Sequence, residues 1–215
     1  MSDPSEFLKE TIPNVFNEAH AEIRDAAAKG DAEAKKRWEE VQAATPMAVR
    51  VVLEGKKKKD LYVVFEKTEL RTVEALPAGV PVLFAFALPE EALEIALDEM
   101  EEDVQKALGK IRKRIPQGSP ARTRAGIDRA AQEQMRFHFV MKDTPDFEEV
   151  RVKIALGDKE PPEKPTFTVT LDYDVFEQLR ERKLKPQALV SKLQLSGDSA
   201  RAMQLIMQAA QRRSS

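Results

Sequence analysis

The same succession of secondary-structure signals occurs twice along this 215-residue chain, and this repetition constrains the fold more than any single motif. Each half predicts a strand, a turn, a second strand, a proline-containing loop, a third strand and a helix. The segments that close the two halves, 118–132 and 197–211, align without gaps at glycine, Ala-Arg, isoleucine and Ala-Ala-Gln. Two amphipathic helices could match by chance, but the shared order of elements favours an internal duplication.

Two helices are predicted before the first strand. The first begins after Asp3, and Pro13 should kink it or delay its start because proline lacks a backbone N–H. The second covers 32–44 and ends before the Thr-Pro pair.

Three strands and a helix are predicted next. Residues 47–53 and 61–66 are rich in β-branched residues and lie on either side of a lysine-rich turn, which predicts a hairpin. The segment 80–88 is apolar on both faces, which predicts a central strand. Pro89 and the two acidic residues after it are typical of a helix start.

The second half repeats this pattern with clearer alternation. Apolar residues alternate with polar ones over 135–142, 150–156 and 167–171, which predicts three strands. Asp172 or Asp174 then caps a helix.

A single helix over 120–134 could close the first copy and open the second. We therefore expect two units. Residues 1–134 contain the N-terminal copy with two helices before it, and residues 135–215 form the C-terminal copy.

The composition excludes several kinds of catalytic site. The chain has no cysteine and only two histidines, His20 and His138, so neither a thiolate centre nor a histidine-rich metal site is predicted. Its eight glycines never form a phosphate-cradling loop. We therefore expect no catalytic residues, no metal, no cofactor and no enzymatic activity.

The overall charge argues against a nucleic-acid binder, and the hydropathy argues against a membrane-spanning segment. Thirty-five basic residues face 37 acidic ones, a net charge of −2, which disfavours a nucleic-acid binder. The chain begins with polar and acidic residues, and its longest apolar run, 80–88, is too short to span a bilayer. A soluble cytoplasmic protein is the expectation.

Basic residues concentrate between positions 110 and 124. They predict docking to anionic lipid headgroups, contact with nucleic acid or an ordinary solvated surface. The acidic run 101–103 favours the solvated surface, and the scarcity of aromatic residues nearby leaves stacking on single-stranded nucleic acid unsupported. His138 lies on the polar face of its strand, where a solvent or surface partner is expected, and His20 carries no functional signal.

The closing segment carries a recognisable order of motifs: a Thr-alternating strand at 167–172, a helix at 174–179, a Lys-x-x-Pro-x-x-Ala-like turn at 183–189, a Lys-Leu-x-x-x-Gly-Asp strand at 192–198, and a methionine-rich amphipathic helix. With the hairpin before it, residues 135–212 resemble the sterol carrier protein-2 domain, the sterol-transfer or sterol-binding family. The first half resembles a degenerate copy of the same domain.

The resemblance implies an α+β fold, in which a curved five-stranded sheet is covered by helices and an apolar tunnel holds a sterol, a fatty acyl chain or a similar lipid. Methionine suits the wall of such a tunnel because its side chain is flexible. The candidates for the lipid-binding wall are apolar residues of the second half: Phe137, Phe139, Phe176, Leu179, Leu189, Met203, Ile206 and Met207.

The function that the resemblance implies is non-catalytic binding or transfer of a lipid, with the pocket mainly in 135–212 and the terminal helix, 199–210, moving to admit the ligand. The alternative is a structural or accessory module that keeps the fold without a ligand and acts through protein contacts. A homodimer and a transient contact with an anionic membrane surface remain open as further partners.

Overall fold

Strands from both halves of the chain join in one sheet in the computed structural model, which describes residues 3–116, 125, 126, 128, 129, 131–181, 183, 184 and 186–212. Within these residues the sheet has eight strands in the order β3-β2-β1-β4-β6-β5-β7-β8. The strands are β1 (Met47–Glu54), β2 (Lys59–Glu66), β3 (Glu69–Val73), β4 (Val82–Pro89), β5 (Arg136–Lys142), β6 (Glu149–Leu156), β7 (Phe167–Asp172) and β8 (Gln194–Gly197).

Helices precede, connect and follow these strands. They are α1 (Pro4–Glu6), α2 (Ile12–Ala28), α3 (Ala32–Gln42), α4 (Glu90–Glu99), α5 (Glu101–Arg114), α6 (Tyr173–Arg180), α7 (Pro186–Leu189) and α8 (Ser199–Arg212). A π-helical segment, Phe7–Thr11, joins α1 to α2, and a 3₁₀ turn, Val190–Lys192, follows α7. The mixed α+β fold is therefore confirmed.

The first helix begins where the sequence predicts, but Pro13 does not delay it. The carboxylate of Asp3 accepts a hydrogen bond of 2.7 Å from the amide of Ser5 and caps the helix. The wider π-helical turn lies directly before Pro13, where a regular helical bond cannot form because proline has no N–H. The chain thus passes Pro13 without leaving the helix.

The two halves use the same strand pairing. β1 pairs antiparallel with β2 and parallel with β4, and β5 pairs antiparallel with β6 and parallel with β7. A helix follows β4 and β7 directly. The predicted hairpins, third strands and helices are all present, whereas the edge strand β3 was not predicted.

An antiparallel pairing between β4 and β6 joins the halves. Its register matches Phe84 with Leu156 and Phe86 with Ile154. Instead of the five-stranded sheet that the resemblance implied, the described residues therefore form one sheet of eight strands. The predicted central position of β4 is confirmed, because it lies between β1 and β6.

One helix was not predicted, and one predicted helix is described only in part. The helix α5 was missed, although its three acidic residues in the first turn and three basic residues in the last turn match the helix dipole. Of the helix predicted over 120–134, residues 120–124, 127 and 130 lie outside the described residues. Residues 125, 126, 128, 129, 131 and 132 are helical.

The connector 157–166 between β6 and β7 crosses the face of the sheet that carries Arg50. The Arg50 guanidinium donates to both carboxylate oxygens of Asp60, at 2.9 and 2.5 Å, and to the carbonyl of Lys159 at 3.0 Å. It also lies 2.5 Å from Glu160, and its side chain is only 12% exposed. Arg50 of the first half thus holds the connector of the second half in place.

We predict that Arg50→Met lowers the free energy of unfolding by about 2 kcal/mol, because the half-buried Asp60 carboxylate loses its partner. Arg71→Met is the matched control, since Arg71 on β3 pairs with Glu66 in a more exposed setting. Urea titration of both variants measures the difference. Equal stability of the two variants would contradict the role given to Arg50.

Gly157 starts the connector at a point where no side chain fits. Its φ is +76°, and a Cβ there would lie 1.7 Å from the carbonyl oxygen of Ala131. Gly79 has nearly the same φ, +78°, but nothing lies within 4 Å of its Cβ position.

We predict that Gly157→Ala costs about 3 kcal/mol or more, from backbone strain and the clash together. Gly79→Ala carries the strain alone and should cost about 1 kcal/mol. Chemical denaturation of the two variants checks this, and a similar loss in both would show that Ala131 does not pack against Gly157.

Candidate functional site

The three central strands β4, β6 and β5 present a continuous apolar surface on one face of the sheet. Phe86 is paired with Ile154, and Ile154 is paired with Phe137, so these three side chains project to the same side. Every second residue along each strand follows them. This surface, here called the central band, consists of Phe84, Phe86, Leu88, Phe137, Phe139, Met141, Val150, Val152, Ile154 and Leu156.

The central band is only partly covered. Each of its side chains is half-buried. On the opposite face of the same strands, Ala85, Ala155, Val140 and His138 are at most 3% exposed. The partial exposure is therefore a property of this face and not of the strands.

The two ends of the same sheet face are closed by helices. On one side Val51, Leu53, Leu61, Val63 and Leu70 form a buried cluster against the N-terminal helical segment and Leu93 of α4. On the other side Phe167, Val169 and Ala202 form a second cluster. The central band lies between these clusters.

Aromatic stacking and α8 organise the second cluster. The rings of Phe137 and Phe167 lie parallel, 7° apart in orientation, with their centroids 5.1 Å apart. Ala202 on α8 is fully buried against this cluster, and its small side chain lets the helix approach the sheet closely. Phe139 packs at the edge of the same cluster.

An ion pair links the helices α5 and α6. Arg180 at the end of α6 lies 3.8 Å from Asp103 in the first turn of α5. The helices α4 and α6 each begin at the end of a strand, β4 and β7, and those two strands run in the same direction. The first and second halves therefore each place a helix at the same end of the sheet.

The structure brings some of the predicted wall residues together and leaves others apart. Phe137 and Phe139 lie in the central band, while Phe176 and Leu179 are half-buried on α6 and Leu189 is half-buried on α7. On α8, Ile206 is half-buried, but Met203 and Met207 are 37% and 51% exposed.

Eight residues of the central band were not among the wall candidates: Phe84, Phe86, Leu88, Met141, Val150, Val152, Ile154 and Leu156. The alternation of β6 and the apolar run of β4 were both visible in the sequence. Only the pairing of β4 with β6 shows that they extend the surface formed by Phe137 and Phe139.

The prediction for His138 is wrong. Its strand face is covered by the connector, so His138 is 3% exposed, and its Nε2 lies 2.8 Å from the carbonyl oxygen of Pro162. Its Nδ1 lies 3.3 Å from a guanidinium nitrogen of Arg151. The carbonyl can only accept, so Nε2 donates and His138 anchors the connector.

His20 is also buried, at the opposite edge of the sheet. Its Nδ1 donates to the carbonyl of Thr68 over 3.0 Å, and its ring lies 4.2 Å from that of Phe16. Burial lowers the pKa of His20 below the usual 6.5, and the hydrogen bond to Thr68 opposes this only in part.

The basic run at the end of α5 lies on a surface of mixed charge. Arg112 contacts both Glu18 and Glu22 of α2 at 2.8 Å. Ile111 is 49% exposed beside it. Arg122 and Arg124, which belong to the basic residues between positions 110 and 124, lie outside the described residues.

A cavity of about 320 Å³ lies between the N-terminal helical segment and the helices α4 and α5. It is lined by Asp3, Glu6, Phe7, Thr11, Leu97, Glu101, Val104 and Gln105. Its three carboxylates suit an apolar chain poorly, because a charged group is costly to dehydrate. The central band is therefore the better candidate for an apolar ligand.

Comparison with known protein families gives a match in the second half of the chain. Residues 130–209 match the SCP-2 sterol transfer family. The SCP-2 match covers β5 to β8 and most of α8, and it confirms the resemblance seen in the sequence for this half.

A solved structure of sterol carrier protein 2 from Yarrowia lipolytica, in its apo form, is 24% identical to the chain. The similarity covers 40% of this chain and 73% of that one, with a TM-score of 0.25. A comparison with curated proteins gave no match. Among the described residues, no helix is both long and apolar enough to cross a bilayer.

The lowered pKa of His20 predicts how stability changes with pH. Below pH 6.5 the unfolded chain binds a proton at this histidine and the folded chain resists binding it, so the free energy of unfolding falls as the pH falls. We predict that His20→Gln loses less stability than the wild type between about pH 7.5 and pH 5.5. Denaturant titrations at the two pH values measure this, and an equal loss in both proteins would contradict the assignment.

Proposed function

We propose that this protein binds a lipid non-catalytically, with the ligand's apolar part lying along the central band beneath the helices α4, α6 and α8. The observation that carries this proposal is the uninterrupted, half-exposed apolar face of β4, β6 and β5. The match of residues 130–209 to a sterol transfer family supports the same ligand class.

The dimensions and chemistry of the central band suit a long apolar chain. Three strands about 4.8 Å apart and seven residues at about 3.3 Å each give a surface about 10 Å wide and 20 Å long. Burying ten methylene groups there would contribute about 8 kcal/mol, enough to offset much of the cost of association. The band contains no nitrogen or oxygen side-chain atoms that the ligand would have to dehydrate.

Both halves contribute to this site, which supports the proposed internal duplication. β4 of the first half supplies Phe84, Phe86 and Leu88, and β5 and β6 of the second half supply the rest. The matching strand pairings and the matching helices α4 and α6 point to two diverged copies. The ligand would then lie across their junction and not, as the sequence analysis expected, mainly within 135–212.

The predicted wall residues would line the side of the site formed by the second half. Phe176 and Leu179 on α6, Leu189 on α7 and Ile206 on α8 are half-buried, as partly covered walls of an open site would be. Movement of α8 would admit the ligand and bring Met203 and Met207 against it.

The direct test is to purify the protein under native conditions, extract it with organic solvent and identify the extract by mass spectrometry. We expect a lipid with a long apolar part in stoichiometric amount. A lipid-free protein that also fails to bind a fluorescent fatty acid or Nile red would overturn the proposal.

A substitution in the central band tests the location of the site. Val152→Gln places an amide in the band and should weaken Nile red binding about tenfold or more, because the amide stays unpaired against an apolar ligand. Val73→Gln is the matched control, since Val73 is an equally half-buried valine on β3, away from the band. Fluorescence titration of both variants checks this, and an equal effect would place the site elsewhere.

A second candidate function rests on the exposed methionines of α8. Met203 and Met207, one turn apart, form an apolar surface that a protein partner or a second copy of the chain could cover. An accessory module without a ligand would then form a homodimer or a heterocomplex. Light scattering measures the molar mass of the wild type and of Met207→Ser. The substitution lowers that mass only if the methionine surface is an interface.

The end of α5 could supply a transient contact with an anionic membrane. Lys110, Lys113 and Arg114 are exposed around the exposed Ile111. We predict that Lys113→Ser with Arg114→Ser weakens binding to phosphatidylserine vesicles about 30-fold, at about 1 kcal/mol per charge. Vesicle sedimentation measures this, with Lys35→Ser and Lys36→Ser on α3 as the control, and equal weakening in both would contradict a local contact.

A further inference from the structure

Among the described residues, the eight-stranded sheet contains one five-strand pattern twice. From each strand to the next, β3-β2-β1-β4-β6 pair antiparallel, antiparallel, parallel and antiparallel. The strands β4-β6-β5-β7-β8 pair in the same succession. The two sets share the β4–β6 pair, so each strand of the first set has a counterpart three places along the sheet.

The two sets differ in how far the same face is covered. They align where a helix directly follows β4 and β7, and the pairing registers then match residue with residue. The counterparts of Val51, Leu53, Leu61, Val63 and Leu70 are Phe139, Met141, Val152, Ile154 and Phe84, in that order. The first five are at most 8% exposed, whereas all five counterparts, which belong to the central band, are half-buried.

An amphipathic stretch of the chain itself covers the first set. This stretch, residues 7–20, is here called the N-terminal cover. Its side chains Leu8, Ile12 and Phe16 pack on the buried cluster of the first set. The ring of Phe16 meets that of Phe65 edge-on, with centroids 5.5 Å apart. The first face is therefore closed by apolar groups of the same kind as those of a lipid.

Hydrogen bonds to the edge strand β3 hold the N-terminal cover in place. The side-chain amide of Asn17 donates to the carbonyl of Leu70 at 3.0 Å and accepts from the amide of Leu70 at 2.8 Å. The hydroxyl of Thr72 donates to the carbonyl of Leu8 at 2.6 Å. Because β3 is an edge strand, water can replace these bonds if the cover leaves.

The start of the N-terminal cover is irregular and packs loosely on one side. Its first five residues, Phe7–Thr11, form the π-helical turn before Pro13. The cavity of about 320 Å³ separates this turn from α4 and α5. A void of this size forfeits packing contacts, so the cover gains less from its neighbours here than a fully packed helix would.

We propose that the N-terminal cover occupies in the first half the position that a lipid occupies in the second. Each chain then carries one open lipid site, the central band, and one latent site over the cluster of Val51 and Leu61. The latent site takes the same ligand class, a long apolar chain, once the cover leaves. This inference rests on the proposed lipid-binding function.

Titration with Nile red counts the sites and measures their affinities. We expect the wild type to bind one molecule per chain tightly. Asn17→Ala removes both bonds to Leu70 and should raise the affinity for a second molecule at least about tenfold, because the ligand displaces a more weakly held cover. Asn14→Ala is the matched control and should change nothing, since Asn14 is exposed on the same helix.

Two further variants test the nature and the place of the latent site. Leu8→Ala weakens the apolar contact instead of the hydrogen bonds and should also favour the second molecule. Asn17→Ala combined with Val152→Gln should weaken binding in the central band and still bind one molecule at the latent site. Thermal unfolding of each variant verifies its fold, and Asn17→Ala alone decides if Leu8→Ala unfolds.

The outcomes separate this inference from the function on which it rests. If neither the wild type nor any variant binds Nile red, the proposed function fails and the inference with it. The role of the N-terminal cover is wrong, and lipid binding stands, if Asn17→Ala gains no affinity for a second molecule or Asn14→Ala gains as much. A wild type that binds two molecules with equal affinity contradicts the inference in the same way.

Discussion

The antiparallel pairing of β4 with β6 is the interaction on which the rest of this structure depends. It spans four residue pairs, from Phe84 with Leu156 to Ala87 with Lys153, and it joins two sheets of four strands into one. Without it, Phe84 and Phe86 would lie at a sheet edge and Val152 and Ile154 at another. The central band exists only because these two edges meet.

The contrast between the two faces of β4, β6 and β5 explains how an open apolar surface is tolerated. One face carries small alanines and His138, and the connector covers them. Arg50 donates to the connector, and Arg151 contacts His138. The other face carries large side chains that remain half-exposed between two buried clusters. Stability comes from the covered face and the two ends, which leaves the central band available for a ligand.

Much of this fold could be predicted from local signals. Neighbouring residues alone determine the alternation of β5, β6 and β7, the cap at Asp3 and the helix start at Pro89. The pairing of β4 with β6 depends on residues about 70 positions apart, with no local signal. The sequence therefore predicted Phe137 and Phe139 as wall residues but not Phe86 and Ile154 beside them.

His138 is a second case in which local sequence could not predict the environment of a residue. Its position among polar residues on β5 predicted exposure, and the connector that buries it comes from beyond the next strand. Met203 and Met207 differ in the opposite direction: they were predicted to line a wall, and they are exposed. An apolar residue on an amphipathic helix is buried only where another element packs against it. Tertiary contacts decided each of these cases.

The chain has no cysteine, so a single introduced thiol reports on one position. The most direct test of the central claim is the rate at which a thiol reagent modifies Val152→Cys, with and without saturating oleyl alcohol, compared with Val73→Cys. We predict strong protection by the lipid at position 152 and none at position 73. Unchanged rates at position 152 in the presence of bound lipid would show that the central band is not where the ligand lies.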